Sequence, residues 1–199
     1  MTRRRLSPEE SKQIILASAK ELFIHSGYNK TTTADLCKAT NMSKGNIYHH
    51  FMNKEEIFLH VLKEYVQEIE SKWKDAYDDT MTPRDKFLKI AMLYGEDFDS
   101  PLLDAATEYA KQYEDRPETL ALINEIMLII ANEVKKISDE AVTLGATKNV
   151  DADSLAFSVM AILVGVSQLC LSSKEMGKVQ AVDMYLTTMN NLFEGVFVS

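Results

Sequence analysis

Cysteine, proline and glycine are all scarce in this chain: two, four and seven among 199 residues. Cys37 and Cys170 lie far apart and form neither a disulfide framework nor a zinc set, so they read as small buried hydrophobes in a reducing compartment. So little glycine and proline counts against the turn-rich sandwich and barrel architectures. No apolar segment follows the arginines of MTRRRLSPEESK, which excludes a signal peptide. The longest apolar run, Leu155 to Leu171, is interrupted by Ser158, Ser167 and Gln168, short of the roughly 20 uninterrupted residues of a membrane helix. G-x-G-x-x-G, P-loop, G-x-S-x-G and H-E-x-x-H patterns are all missing, which counts against an enzyme and implies no cofactor. The expectation is a soluble cytoplasmic protein with no membrane partner.

What is present is ordinary in amount, 46% apolar and 26% charged, but uneven in sign. Residues 1–54 carry nine Lys/Arg against four Asp/Glu, whereas residues 55–199 carry thirteen against twenty-six. The overall charge of −8 therefore combines a basic module with an acidic body that would not itself approach nucleic acid. The composition shift near residue 54 suggests a domain at 1–53 and a second at 54–199.

Periodicity and punctuation predict an all-α chain. Pro8, Pro83, Pro101 and Pro117 each stand where a helix would begin. Ser7 with Glu10 predicts a capping box, and Gly27 a left-handed stop. Short helices are expected at about 33–40 and 44–50, then longer ones at 54–78, 83–97, 101–114, 117–144, 151–173 and 176–197. Leu120, Ile123, Met127, Ile130, Val134, Ile137, Ala141 and Leu144 form one apolar stripe; Val179, Val182, Leu186, Met189, Phe193 and Val196 form another. Residues 155–171 are apolar on nearly every side and need cover on all sides, part of it from a second copy of the chain. Val159, Ile162, Val166, Leu186, Met189 and Phe193 are the candidate dimer interface, with Gly165 allowing close approach.

The informative segment is TTTADLCKATNMSKGNIYHHFMNKEEIF, residues 31–58. A first short helix turns Leu36, Cys37 and Ala39 inward, Asn41 makes a tight corner at positive φ, Met42 is buried behind it, and Ser43 caps a second short helix. That layout is a helix-turn-helix, whose second helix enters the DNA major groove. The exposed start of this helix offers Lys44, Gly45, Asn46, Tyr48 and His49. Gly45 weakens the helix by about 1 kcal/mol relative to Ala, but lets a backbone approach a base edge. Lys54 opposes the dipole of the helix it opens, which favours an anionic partner. His49 and His50 point about 100° apart with no third ligand near, so no metal is expected. His50 reads as a packing partner of Phe51, and Arg3, Arg4 and Arg5 as either a minor-groove arm or a disordered tip.

The helix ending ELFIHSGY, followed by T-T-x-x-L-x-x-x-x-x-x-S-K-G-x-x-Y-x-H-F-x-x-K-E, resembles the TetR family of transcriptional repressors, and most nearly its multidrug-sensing, QacR-like branch. The motif covers residues 12–62; ESKW (70–73) and P-L-x-x-A-x-x-E-Y (101–109) are fainter echoes. Asn41 stands where the family usually has Gly, and Cys37 where Ala is common. The resemblance implies an N-terminal three-helix DNA-binding domain and a larger helical domain for ligand binding and dimerisation. It places Thr33, Tyr48, His49 and Lys54 against phosphates and Lys44, Gly45 and Asn46 against bases, and Ser43 completes the candidate DNA-binding set.

In the acidic body, rings, carboxylates and methionines are interspersed as a lipophilic or cationic ligand would require. Trp73, Glu96, Glu108, Tyr109, Tyr113 and Met127 are the candidate ligand residues, and the resemblance puts a ligand contact in the helix that carries Trp73. The implied function is a homodimeric repressor that binds a near-palindromic double-stranded DNA operator and is released by a small-molecule inducer. The alternatives are an all-α enzyme and a helical adaptor without DNA binding.

Overall fold

Each of the four prolines opens a helix, where its missing N–H leaves no hydrogen bond unmade. The computed structural model describes residues 6–113, 117–173 and 175–197; the arginines at 3, 4, 5 and 116 lie outside this set. Nine helices occur among the described residues: α1 (Pro8–Lys30), α2 (Thr33–Thr40), α3 (Lys44–His50), α4 (Lys54–Lys74), α5 (Pro83–Glu96), α6 (Pro101–Gln112), α7 (Pro117–Thr143), α8 (Ala152–Ser172) and α9 (Lys178–Val196). Ser7 and Glu10 close the capping box at the start of α1. Gly27, at φ 72°, breaks the α1 dihedrals one turn before the helix ends at Lys30.

Two compact units divide the chain. The first comprises residues 1–68 and 100–125: α1, α2, α3, most of α4, α6 and the start of α7. Its core joins Ile15, Ala19 and Phe23 of α1 to Leu36 of α2, Ile47 of α3, Ile57, Phe58 and Val61 of α4, and Ala106 and Tyr109 of α6. The first three helices, two of them only eight and seven residues long, enclose little apolar volume by themselves, and here α4 and α6 complete it, so the compact unit holding the helix-turn-helix extends beyond residue 53. Each fully buried Phe or Ile of this cluster contributes roughly 1.5–3 kcal/mol. Ala39 differs from expectation: it is exposed, because the inward stripe of α2 is Leu36 and Thr40, four residues apart.

The second unit comprises residues 69–99 and 126–199, and α5 packs along α9 within it. Gly95 makes this possible: a Cβ there would lie 2.7 Å from the Cα of Val182 and 3.0 Å from the Tyr185 ring. The buried stripe of α9 is Ala181, Tyr185, Met189 and Phe193, whereas Val179 projects into solvent. On α7 the buried run is Ile126, Ile130, Val134, Ile137 and Ala141, and Leu120 and Leu144 are exposed. Helix α8 is long and apolar enough to cross a membrane by length and composition. It packs on α5 and α9 through Leu155, Val159, Leu163, Val166 and Cys170.

Candidate functional site

The corner of the helix-turn-helix is fixed by local hydrogen bonds. Thr32 and Asp35 form a reciprocal capping box that starts α2, and Asn41 ends it in the left-handed region at φ 54°. Ser43 then caps α3, its Oγ accepting from the Asn46 N–H at 3.2 Å. Lys44, Gly45, Asn46 and His49 are exposed, and Tyr48 is half-buried. The hydroxyls of Thr33 and Tyr48 lie 2.7 Å apart, joining α2 to α3, and the Lys44 ammonium is 5.8 Å from the Tyr48 ring centre. A Cβ on Gly45 would meet only the Ser43 Oγ at 4.0 Å, so none of the described residues requires glycine there. Beside this face runs a cleft of about 850 Å³, from Leu6 and Pro8 to Asn41, Ser43, Asn46, His49 and His50.

Two expectations for this module change. Lys54 does not extend into solvent: its Nζ donates to the carbonyls of Tyr28 and Thr31, both at 2.8 Å, and lies 4.0 Å from the Tyr28 ring centre. Burial holds its pKa below the usual lysine value. His50 packs edge-on to His49 at 5.3 Å, and the ring beside Phe51 is His60, at 5.5 Å. The His50 pKa is depressed by burial first, then by His49 and Lys12.

The six candidate ligand residues do not fall in one unit. Glu108, Tyr109 and Tyr113 belong to the first, and Trp73, Glu96 and Met127 to the second. Tyr109 is a core residue: its hydroxyl donates to Glu55 Oε1 at 2.6 Å, and its ring meets Tyr28 edge-on at 4.6 Å and Tyr113 at a tilt at 4.7 Å. Glu108 and Glu96 are both exposed, and Glu108 accepts from Asn29 at 3.3 Å. In the second unit Trp73 is 4% exposed and meets Tyr94 edge-on at 6.4 Å; Tyr94 in turn meets Tyr185 at 5.7 Å. Met127 is half-buried.

Carboxylates that sequence reasoning passed over have better surroundings. Glu133 accepts a hydrogen bond from Tyr77, whose pKa is raised by burial and by that carboxylate. Glu140 takes both of its oxygens to the ammonium of Lys86, at 2.9 and 2.8 Å. The available signal was position: Glu133 and Glu140 immediately precede Val134 and Ala141 of the buried α7 stripe.

The candidate dimer residues also divide. Val159, Val166, Met189 and Phe193 are buried inside the monomer, where α8 and α9 form the core with α5, and so are not surface. Ile162 and Leu186 are half-buried. The exposed apolar residues of α8 are Phe157, Val164, Leu169 and Leu171, and Gly165 has no atom within 4 Å of its would-be Cβ.

Comparison with known proteins agrees with this arrangement. Residues 15–61 match the bacterial regulatory proteins of the tetR family, and residues 65–191 match the QacR-like protein, C-terminal region. The HTH-type transcriptional regulator QacR of Staphylococcus aureus is 39% identical over 107 residues, which is 51% of this chain and 55% of that protein. The chain thus spans about half the length of this curated relative. A Saccharomonospora viridis protein solved in complex with choline superposes with a TM-score of 0.80 at 18% identity, over 96% of this chain and all of that one. The TetR family transcriptional regulator from Cytophaga hutchinsonii gives 0.76 at 21% identity, over 98% and 100%. With its helix-turn-helix and the greater part of its remaining helices matched, the chain belongs to the TetR family of bacterial regulatory proteins, with a QacR-like C-terminal region.

Proposed function

We propose that the protein is a homodimeric, ligand-responsive repressor that binds a near-palindromic DNA operator in the cytoplasm. The observation that carries this reading is the exposed start of α3, where Lys44, Gly45, Asn46 and His49 stand beside the Thr33–Tyr48 pair with no element of the described residues covering them. Cationic and amide side chains at that position suit phosphates and base edges, and a helix N-terminus favours the phosphate charge. The exposed face of α8 seats the second copy, giving a two-fold interface and two recognition helices for two half-sites. In the second unit, Trp73, Tyr94, Tyr77 and Glu133 supply rings and a carboxylate suited to a lipophilic organic cation; choline, bound by the S. viridis protein, is an organic cation too, though a small hydrophilic one. Ligand binding shifts the population toward a state whose recognition helices no longer match the operator, by no more than the ligand's preference for that state.

The test is operator binding by variants of α3. A duplex is selected from random sequence by the unmodified protein. Lys44→Ala and Asn46→Ala should each lose ~1–3 kcal/mol on it and little on mixed-sequence DNA. Equal losses on both duplexes would deny these residues a base-reading role, and no loss on either would remove the reading.

A further inference from the structure

Lys54 lies where three helices of the first unit meet. Its ammonium bonds the carbonyls of Tyr28 and Thr31, which stand past the Gly27 break, where α1 gives way to α2. Carbonyls at a helix C-terminus lack intrahelical partners and carry partial negative charge, so a cation there is favoured. The next residue, Glu55, holds the opposite side by accepting the Tyr109 hydroxyl of α6. The Tyr28 ring is shared by Lys54 at 4.0 Å and Tyr109 at 4.6 Å. Consecutive first-turn residues of α4 thus clamp α1 and α6 about one ring.

The consequences run toward α3. Thr31 is buried, its hydroxyl donating to the Gly27 carbonyl at 2.8 Å; Thr32 caps α2; Thr33 meets Tyr48. Three successive threonines thereby connect the carbonyls held by Lys54 to the recognition helix. The geometry points to Lys54 as a positioning residue for DNA recognition, one that sets the corner from which α2 and α3 are presented and does not itself neutralise a phosphate. This rests on the DNA-binding reading above.

Salt dependence separates the two roles, because each phosphate neutralised by a cation adds about 0.9 to the log–log slope. Lys54→Met, Lys54→Gln, Lys44→Met and Tyr109→Phe are prepared in the full chain and titrated with a mixed-sequence duplex across a salt series. Lys44→Met, at a position placed against bases, should change slope and affinity on this mixed-sequence duplex little. Lys54→Met should leave the slope unchanged while weakening binding about three- to tenfold, the net worth of about one ordinary hydrogen bond. It should also speed amide exchange at residues 32–35 about tenfold, as local opening becomes easier. Lys54→Gln keeps an N–H donor without charge, so it should recover part of the loss at the same slope, and it decides the matter if Lys54→Met does not fold. Tyr109→Phe should produce a smaller loss, and combined with Lys54→Met less than the product of the two, as for residues acting through one ring. A slope lowered by about one unit in both Lys54 variants, with unchanged exchange, makes Lys54 a phosphate contact and overturns the inference. Failure of the unmodified protein to bind duplex would instead remove the DNA-binding reading.

Discussion

Lys86 is 3% exposed, yet it bears a charge, and that charge is held by Glu140, whose side chain keeps 32% of its surface. The asymmetry decides what mutation costs. Glu140→Gln leaves a buried ammonium without its counter-charge, a change worth ~3–5 kcal/mol. Lys86→Met leaves a carboxylate that water already reaches, and puts an apolar chain of similar length in an apolar place, so ~1–2 kcal/mol is expected. Lys86→Met with Glu140→Leu should cost less than the sum, since neither charge is then left unpaired. Urea unfolding of the three variants measures the order. Equal losses for the two single changes would mean that Glu140 is as desolvated as Lys86. Nothing in the sequence distinguishes Lys86 from the other lysines, because its burial depends on contacts made far along the chain, with α7.

Among the helices, starts and stops were legible and faces only in part: Ile130, Val134, Ile137 and Ala141 of the expected α7 stripe are buried, whereas Leu120 and Leu144 are exposed. Pro8, Pro83, Pro101 and Pro117, Ser7 with Glu10, Gly27 and Asn41 act through their own backbone geometry, so local sequence suffices to read them. Gly95 was missed because its need arises from Val182, distant in the chain. Helix α8 shows the limit most sharply. Apolar on nearly all sides, it gives no sequence signal to separate the face that meets α5 and α9 from the face left outward. The structure assigns Val159, Leu163 and Val166 to the first and Phe157, 77% exposed, with Val164 and Leu171 to the second. Charge placed on the two faces should therefore act differently. Val166→Glu buries an unpaired carboxylate in the core and should lose the cooperative thermal transition. Phe157→Glu should leave each protomer folded but separate the proposed dimer, because on that proposal the charge enters only the interface between copies. Sedimentation together with far-ultraviolet circular dichroism reads both outcomes. A Phe157→Glu protein that remains a dimer with unchanged affinity would move the interface off this face.

The whole molecule joins two units of opposite task, and α4 and α7 each contribute residues to both. The basic residues near the recognition helix favour nucleic acid, while the segment 55–199, with thirteen Lys/Arg against twenty-six Asp/Glu, favours cations. Any coupling between a ligand in the second unit and DNA at the first must be reciprocal: the factor by which the ligand weakens DNA is the factor by which DNA weakens the ligand. Trp73, the single tryptophan, reports on the second unit from among Tyr94 and its neighbours. Tetraphenylphosphonium and tetraphenylborate have nearly the same size and opposite charge, so they separate charge from hydrophobic burial. The phosphonium should quench Trp73 emission at micromolar concentration and the borate should not, since Lys86, the buried cation among the described residues of that unit, is already engaged by Glu140. Glu133→Gln, which removes the charge beside Tyr77, should weaken the phosphonium several-fold, in keeping with a lost carboxylate–cation contact. Adding selected operator duplex should weaken the phosphonium by the factor by which the phosphonium weakens the duplex, ~5–150-fold for couplings of ordinary size. Equal quenching by both ions, or a phosphonium affinity unmoved by Glu133→Gln, would deny that carboxylate its role. Quenching without any effect of DNA would leave a ligand site that does not regulate.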